Sequence, residues 1–244
     1  MRRLAGIPAP VALLAVLVVE QIVRYFGREL GALIPAPPAD PGLWPVLPRL
    51  PLVAYAVALV VVFGSERSGM RSPESGPRRW LPLLLIVPLA SLLGLITGGI
   101  RPGSVDAVLV RTALAAGAEE IIYRGIVLAL LLPRGGRAAA LISTLLFALG
   151  HLVDISGFYP QNWFSALNAF GGGLIFAAVR LRSGSVYPGV VVHAAYNIIE
   201  ALRWYDAPLI FLIDRIWPFV LIAAGLVALR AEPDQPRASA SAVA

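Results

Sequence analysis

The run AAGAEEIIYRGIVLALLL sets Glu119, Glu120 and Arg124 inside an apolar stretch long enough to cross a membrane. An ionised side chain at that depth costs on the order of 2.5–3.5 kcal/mol on insertion scales, so such groups persist where they are paired or used. The chain holds two histidines, His151 and His193, and both fall in later apolar segments, in the strings FALGH and HAAYN. Carboxylates and imidazoles are groups that take and give protons in catalysis. Three separate apolar segments therefore carry the makings of acid–base chemistry inside a bilayer.

In the first of them, Glu120 and Arg124 are four residues apart and share a helix face, which permits an ion pair. Glu119 is turned about 100° from Glu120 by the helical period and need not join that pair. Two adjacent carboxylates thus acquire different surroundings. Glu120 is held by a guanidinium, and Glu119 is left without a local partner, available as a base for water. A structural lock between helices is the plainer reading of Glu120 and Arg124. Phe147 precedes His151 by four residues, so ring and imidazole are expected on one helix face. A lone helical histidine is also a common packing residue. His193 and Asn197 are again one turn apart, and an imidazole and an amide aimed into one space offer two donors for a developing oxyanion. Interhelical hydrogen bonding is the alternative there.

These residues need helices to hold them, and the composition provides helices. Of 244 residues, 58% are hydrophobic and 14% charged, with a mean hydropathy of +0.80. Ordinary globular chains carry roughly 25% charged residues, so a soluble domain is excluded. Apolar segments fall at roughly 9–27, 50–64, 80–99, 106–132, 138–155, 164–181, 186–203 and 208–229. The second is short and must start in the Pro-rich stretch to span a membrane. The expected fold is all-α: a polytopic membrane protein of about eight transmembrane helices, with its catalytic core in the central ones. Residues 1–231 read as a single integral-membrane domain, and 232–244 as a Pro/Ala/Ser-rich, disordered tail.

The N-terminal Arg2, Arg3 and apolar run resemble a signal peptide, but Glu20 and Arg24 interrupt the run and no clean small-x-small site follows. The segment is read as an uncleaved first span, with Glu20 and Arg24 as a structural i,i+4 pair. With the N-terminus inside, Arg2, Arg3, Arg67, Arg71, Arg78, Arg79, Arg134, Arg137, Arg180, Arg182, Arg230 and Arg237 fall in inner loops and tails. Only Arg28, Arg49, Arg101 and Arg203 fall outside, a bias of twelve to four. That places both termini in the cytoplasm of a multi-pass cell-membrane (inner-membrane) protein. The same arginines account for the net charge of +6, so no nucleic-acid partner is expected. The absence of cysteine removes disulfides, thiol catalysis and Cys-ligated zinc. No internal repeat is evident, so an inverted-repeat transporter has no direct support.

Lesser features complete the reading. Gly171, Gly172 and Gly173 allow close helix approach, and Trp163 and Phe164 suit an interfacial aromatic belt. Asp154 is expected at a water-facing rim. Asp214 and Arg215, being adjacent, are expected to point to different sides of the last helix.

Taken in order on successive apolar helices, EEIIYR, FALGH and HAAYN match the patterns EExxxR, FxxxH and HxxxN. Together they resemble the CAAX protease and bacteriocin-processing (CPBP, or Abi) family of intramembrane endopeptidases, over roughly residues 80–205. The resemblance implies that Glu119 is the general base for water and that His151 orients and activates it. His193 and Asn197 would form the oxyanion site, with Glu120, Arg124 and Phe147 in support. It also implies a membrane-tethered protein or peptide substrate in a lipid bilayer, and a glutamate mechanism without cofactor. The residues themselves leave zinc open, since Glu119, Glu120, His151 and His193 could supply N/O ligands. Against it, HExxH is absent and no third histidine exists. The alternatives are a zinc-dependent hydrolase on the same fold, or a non-catalytic protein such as a proton-coupled transporter or bacteriocin immunity protein.

Overall fold

The computed structural model describes residues 7–33, 44–99, 105–202 and 208–230. The tail from residue 232 and the stretch 34–43 lie outside the described residues. Helix occupies each of the eight apolar segments. Four helices, spanning Ala9–Leu33, Val46–Phe63, Pro160–Ser183 and Phe211–Arg230, are long and apolar enough to cross a membrane. The chain is an all-α membrane protein.

Helix α1 (Ala9–Leu33) is followed by a 3-10 turn, Trp44–Arg49, that leads directly into α2 (Leu50–Phe63). The second span therefore reaches back into the Pro-rich stretch, as its short apolar run required. Pro51 sits in the first helical turn, where a missing N–H breaks no intrahelical bond. The third apolar segment, expected as one helix, is split into α3 (Leu81–Ile86) and α4 (Leu89–Gly98). The break falls at Pro88, whose ring cannot follow a helix interior.

The fourth segment is continuous helix of changing pitch. Helix α5 (Val105–Glu120) runs into a π-helical turn, Ile121–Val127, and on into α6 (Leu128–Leu131). The π turn directly follows the two glutamates and lies at the centre of the bundle: Ile122, Tyr123, Arg124, Gly125, Ile126 and Val127 are all buried. Gly125 is needed there, because a Cβ would lie 2.6 Å from the backbone oxygen of Ser68.

Helix α7 (Gly136–Leu149) ends earlier than the apolar pattern predicts. Past Leu149 the chain tightens into turns, with His151 N bonded to Ala148 O and Leu152 N to Leu149 O. A short hairpin then pairs Val153 with Phe158 and Asp154 with Gly157. The turn-forming string Asp154-Ile155-Ser156-Gly157 explains the early stop. His151 therefore stands just beyond a helix rather than within one. Helices α8 (Trp163–Ser183), α9 (Tyr187–Leu202) and α10 (Pro208–Arg230) complete the bundle.

The arginine-rich loops read as facing one side do gather at one end. Glu74 N bonds to Ser183 O, Val186 N to Gly69 O, and Arg71 Nε donates to Gly184 O at 3.1 Å. Arg182 donates to Arg79 O and Ala228 O, and Arg137 to Leu229 O and Arg230 O. Gly69 and Gly184 take positive φ in these junctions (70° and 71°), a region that glycine enters without strain.

Candidate active site

The three motifs converge. Glu120 and Arg124 form the expected ion pair, with NH1 3.2 Å from Oε1, and both side chains are sealed from the surface. From α9, His193 Nδ1 lies 2.9 Å from the same Oε1 of Glu120. A carboxylate can only accept, so Nδ1 carries the proton and donates to it. The other ring nitrogen, Nε2, is 3.8 Å from Glu119 Oε2. One imidazole thus spans both members of the glutamate pair.

Glu119 differs from the expectation. It is not without a partner: Arg24 NH1 and NH2, from α1, both lie 3.2 Å from its Oε1. The expected Glu20–Arg24 pair is present as well, through Arg24 Nε. The guanidinium therefore bridges two carboxylates, one on its own helix and one 95 residues away. Local spacing cannot reveal a partner at that separation.

Phe147 is the common neighbour. Its ring meets His151 edge-on at 4.9 Å and His193 at 6.2 Å, and Arg124 lies 4.3 Å over its centre. The expected Phe147–His151 contact is therefore present, although the helix ends between them. His151 Nδ1 donates to Phe147 O at 3.0 Å, which leaves Nε2 as an acceptor. Phe176 of α8 stacks on His193, with centroids 5.3 Å apart.

A cavity of about 520 Å³ opens beside this cluster. Its wall includes Phe147, His151, His193 and Asn197, so both histidines and the asparagine face one space. Glu119 and Glu120 are not among its lining residues, but both lie against His193, which is. Most of the lining comes from the first half of α8, the second half of α9 and the first half of α10. The cavity thus occupies the half of the bundle away from the arginine-rich end. Its lining also includes the polar side chains of Gln161, Asn168, Glu200, Asp214 and Arg215. Asp214 and Arg215 both line it, and Arg215 sits 4.0 Å over Phe164 and 4.6 Å over Phe211. Phe164 stacks with Trp163 at 3.6 Å, while the side chain of Asp154 lies outside the described residues.

The glycine run divides its labour. A Cβ on Gly171 would lie 2.7 Å from Leu221 Cβ, so this residue lets α8 meet α10. A Cβ on Gly173 would come 2.5 Å from Arg124 NH2 and 2.8 Å from Thr144 Cγ2, whereas one on Gly172 would meet only Phe176, at 3.8 Å. Gly173→Ala is accordingly expected to destabilise the protein by about 1–3 kcal/mol through overpacking. Gly172→Ala should be nearly silent. Melting curves of the two variants in detergent check the contrast.

Among the described residues, no group of three or more His, Cys, Asp or Glu side chains is placed to hold a metal ion.

A bundle of apolar helices that seals ion pairs behind a histidine-lined cavity is a membrane protein with an internal polar site. Residues 101–199 match the model of the Rce1-like family, described as type II CAAX prenyl endopeptidase Rce1-like. The match spans 99 of the 244 residues and contains all three motifs, and it bears out the family resemblance they carry. That family is one of CAAX-type intramembrane proteases, whose substrates are membrane-associated proteins. No curated protein matches the chain.

Proposed function

We propose that the chain is an intramembrane endopeptidase that hydrolyses a peptide bond of a membrane-associated protein or peptide by glutamate-activated water. The observation that carries this reading is the position of His193, which links both carboxylates of the glutamate pair to the cavity wall. Water held between Glu119 and His151 Nε2 loses a proton to Glu119 as its oxygen attacks the scissile carbonyl carbon. The carbonyl oxygen becomes an oxyanion and accepts from Asn197 Nδ2 and His193 Nε2. Nε2 donates only when the ring holds a second proton, and Glu120, 2.9 Å from Nδ1, is the counter-charge for that ring once Glu119 has taken the water proton. Collapse of the intermediate breaks the C–N bond, and the proton on Glu119 passes to the departing amine. In a low-dielectric site such oriented donors count for more than in water.

In this reading the enzyme uses no resident metal. It spans a bacterial cell membrane eight times with both termini in the cytoplasm, in keeping with the gathering of arginine-rich loops at one end. The cavity then opens toward the outer half, suited to peptides that enter from the membrane or its outer face.

The test is a cleavage assay in proteoliposomes. The panel holds a farnesylated CAAX peptide and several single-span anchored peptides, each with and without chelator. Cleavage of at least one peptide, unaffected by chelator, is expected. Loss on chelation with recovery on adding zinc would favour the zinc hydrolase instead. No cleavage of any member by folded protein would overturn the endopeptidase reading for these substrate classes.

A further inference from the structure

We propose that Arg24 is a positioning residue of the hydrolytic site, contributed by a helix outside the segment that matches the family; this rests on Glu119 acting as the base. Three observations carry it. Both terminal nitrogens of Arg24 converge on Oε1 of Glu119 at 3.2 Å, while Oε2 is the oxygen nearest His193, at 3.8 Å. One carboxylate oxygen is thus anchored and the other is left for proton transfer. Second, Arg24 is itself held in place. Its Nε donates to Glu20 Oε1, and the other oxygen of this fully buried glutamate accepts from Gln21 at 2.8 Å. Third, α1 is seated close to the rest of the bundle at this level. Gly31, two turns beyond Arg24, leaves room for the ring of Pro48, which would lie 2.6 Å from a Cβ there. Tyr55 of α2 also donates to Val16 O at 2.8 Å.

An arginine suits this task, since its planar fork serves two carboxylates at fixed angles, whereas a lysine offers one point charge. Arg24 is absent from the cavity lining, so it is expected to act on turnover and not on substrate binding.

The experiment compares wild type, Glu119→Gln, Arg24→Lys and the double variant Glu20→Gln/Arg24→Gln on the peptide cleaved best in the assay above. The double variant removes the cation without leaving Glu20 as a lone buried charge. It is expected to lower kcat by about 10²-fold, the scale of a small misplacement of a reacting group, with KM within about twofold. Arg24→Lys should recover about a tenth of wild-type kcat, because it keeps the charge and loses the fork. Size-exclusion profiles and melting curves report folding, and if the double variant fails to fold, Arg24→Lys carries the test alone. Wild-type kcat in a folded Arg24 variant, or a change confined to KM, overturns the proposal while loss in Glu119→Gln leaves the base in place. Full activity in Glu119→Gln overturns the base assignment, and the role of Arg24 with it.

Discussion

Glu119→Gln is expected to lower kcat by about 10⁴-fold, the upper end of what a positioned general base contributes. The upper end applies because the neighbouring carboxylate is committed elsewhere. Oε1 of Glu120 is shared between Arg124 at 3.2 Å and His193 at 2.9 Å. In the proposed mechanism His151 Nε2 accepts a hydrogen bond from the water and orients it, and the proton itself goes to Glu119. The same substitution should cost the fold little. Glutamine keeps the shape of the side chain, and its amide oxygen can still accept from Arg24, which retains Glu20 as its anion. Steady-state kinetics and melting in the same detergent separate the two effects. A kcat within about tenfold of wild type would remove Glu119 from the base role. A large fall in melting temperature alongside lost activity would assign it to the fold instead.

What can be read from the residues alone follows from the range of each interaction. The helices are legible because crossing a bilayer demands about 20 apolar residues in sequence, a signal carried by every span on its own. The pairs Glu20–Arg24 and Glu120–Arg124 are legible because four residues make one helical turn. The contact between Arg24 and Glu119 is not, since 95 residues separate them and only the packing of both α1 and α5 against α2 brings them together. The π turn after Glu120 is equally hidden. Nothing in IIYRGIV announces it. The apolar run continues through Leu152 and Val153 and masks the turn residues beyond, so the pattern carries a helix past His151, where the chain in fact turns. Glu200 is legible from spacing alone. It follows His193 and Asn197 at i+7 and i+3, on their face of α9, and it lines the same cavity.

Arg124→Met is expected to act in the opposite sense from Glu119→Gln: it should cost the fold about 3–5 kcal/mol, the penalty for stranding a buried charge. Glu120 is 1% exposed, and the only guanidinium at its carboxylate among the described residues is that of Arg124. Among the described residues the guanidinium has no hydrogen-bond acceptor in its buried site. It is held by the 3.2 Å ion pair and by the faces of Phe147 at 4.3 Å and Phe176 at 5.7 Å. At this chain length the loss corresponds to a melting temperature lower by about 10 °C. The double variant Glu120→Gln/Arg124→Met should recover much of that, because replacing a buried pair together is often near neutral. Thermal melts of the two single variants and the double give the coupling directly. A single-variant loss below about 1 kcal/mol would mean that Glu120 does not depend on Arg124 for its charge, and His193 Nδ1 would then be the partner that holds it. If the cost is as large as expected, the pair fixes the π turn that directly follows Glu120. The geometry of the active site would then rest on an ion pair that never touches substrate.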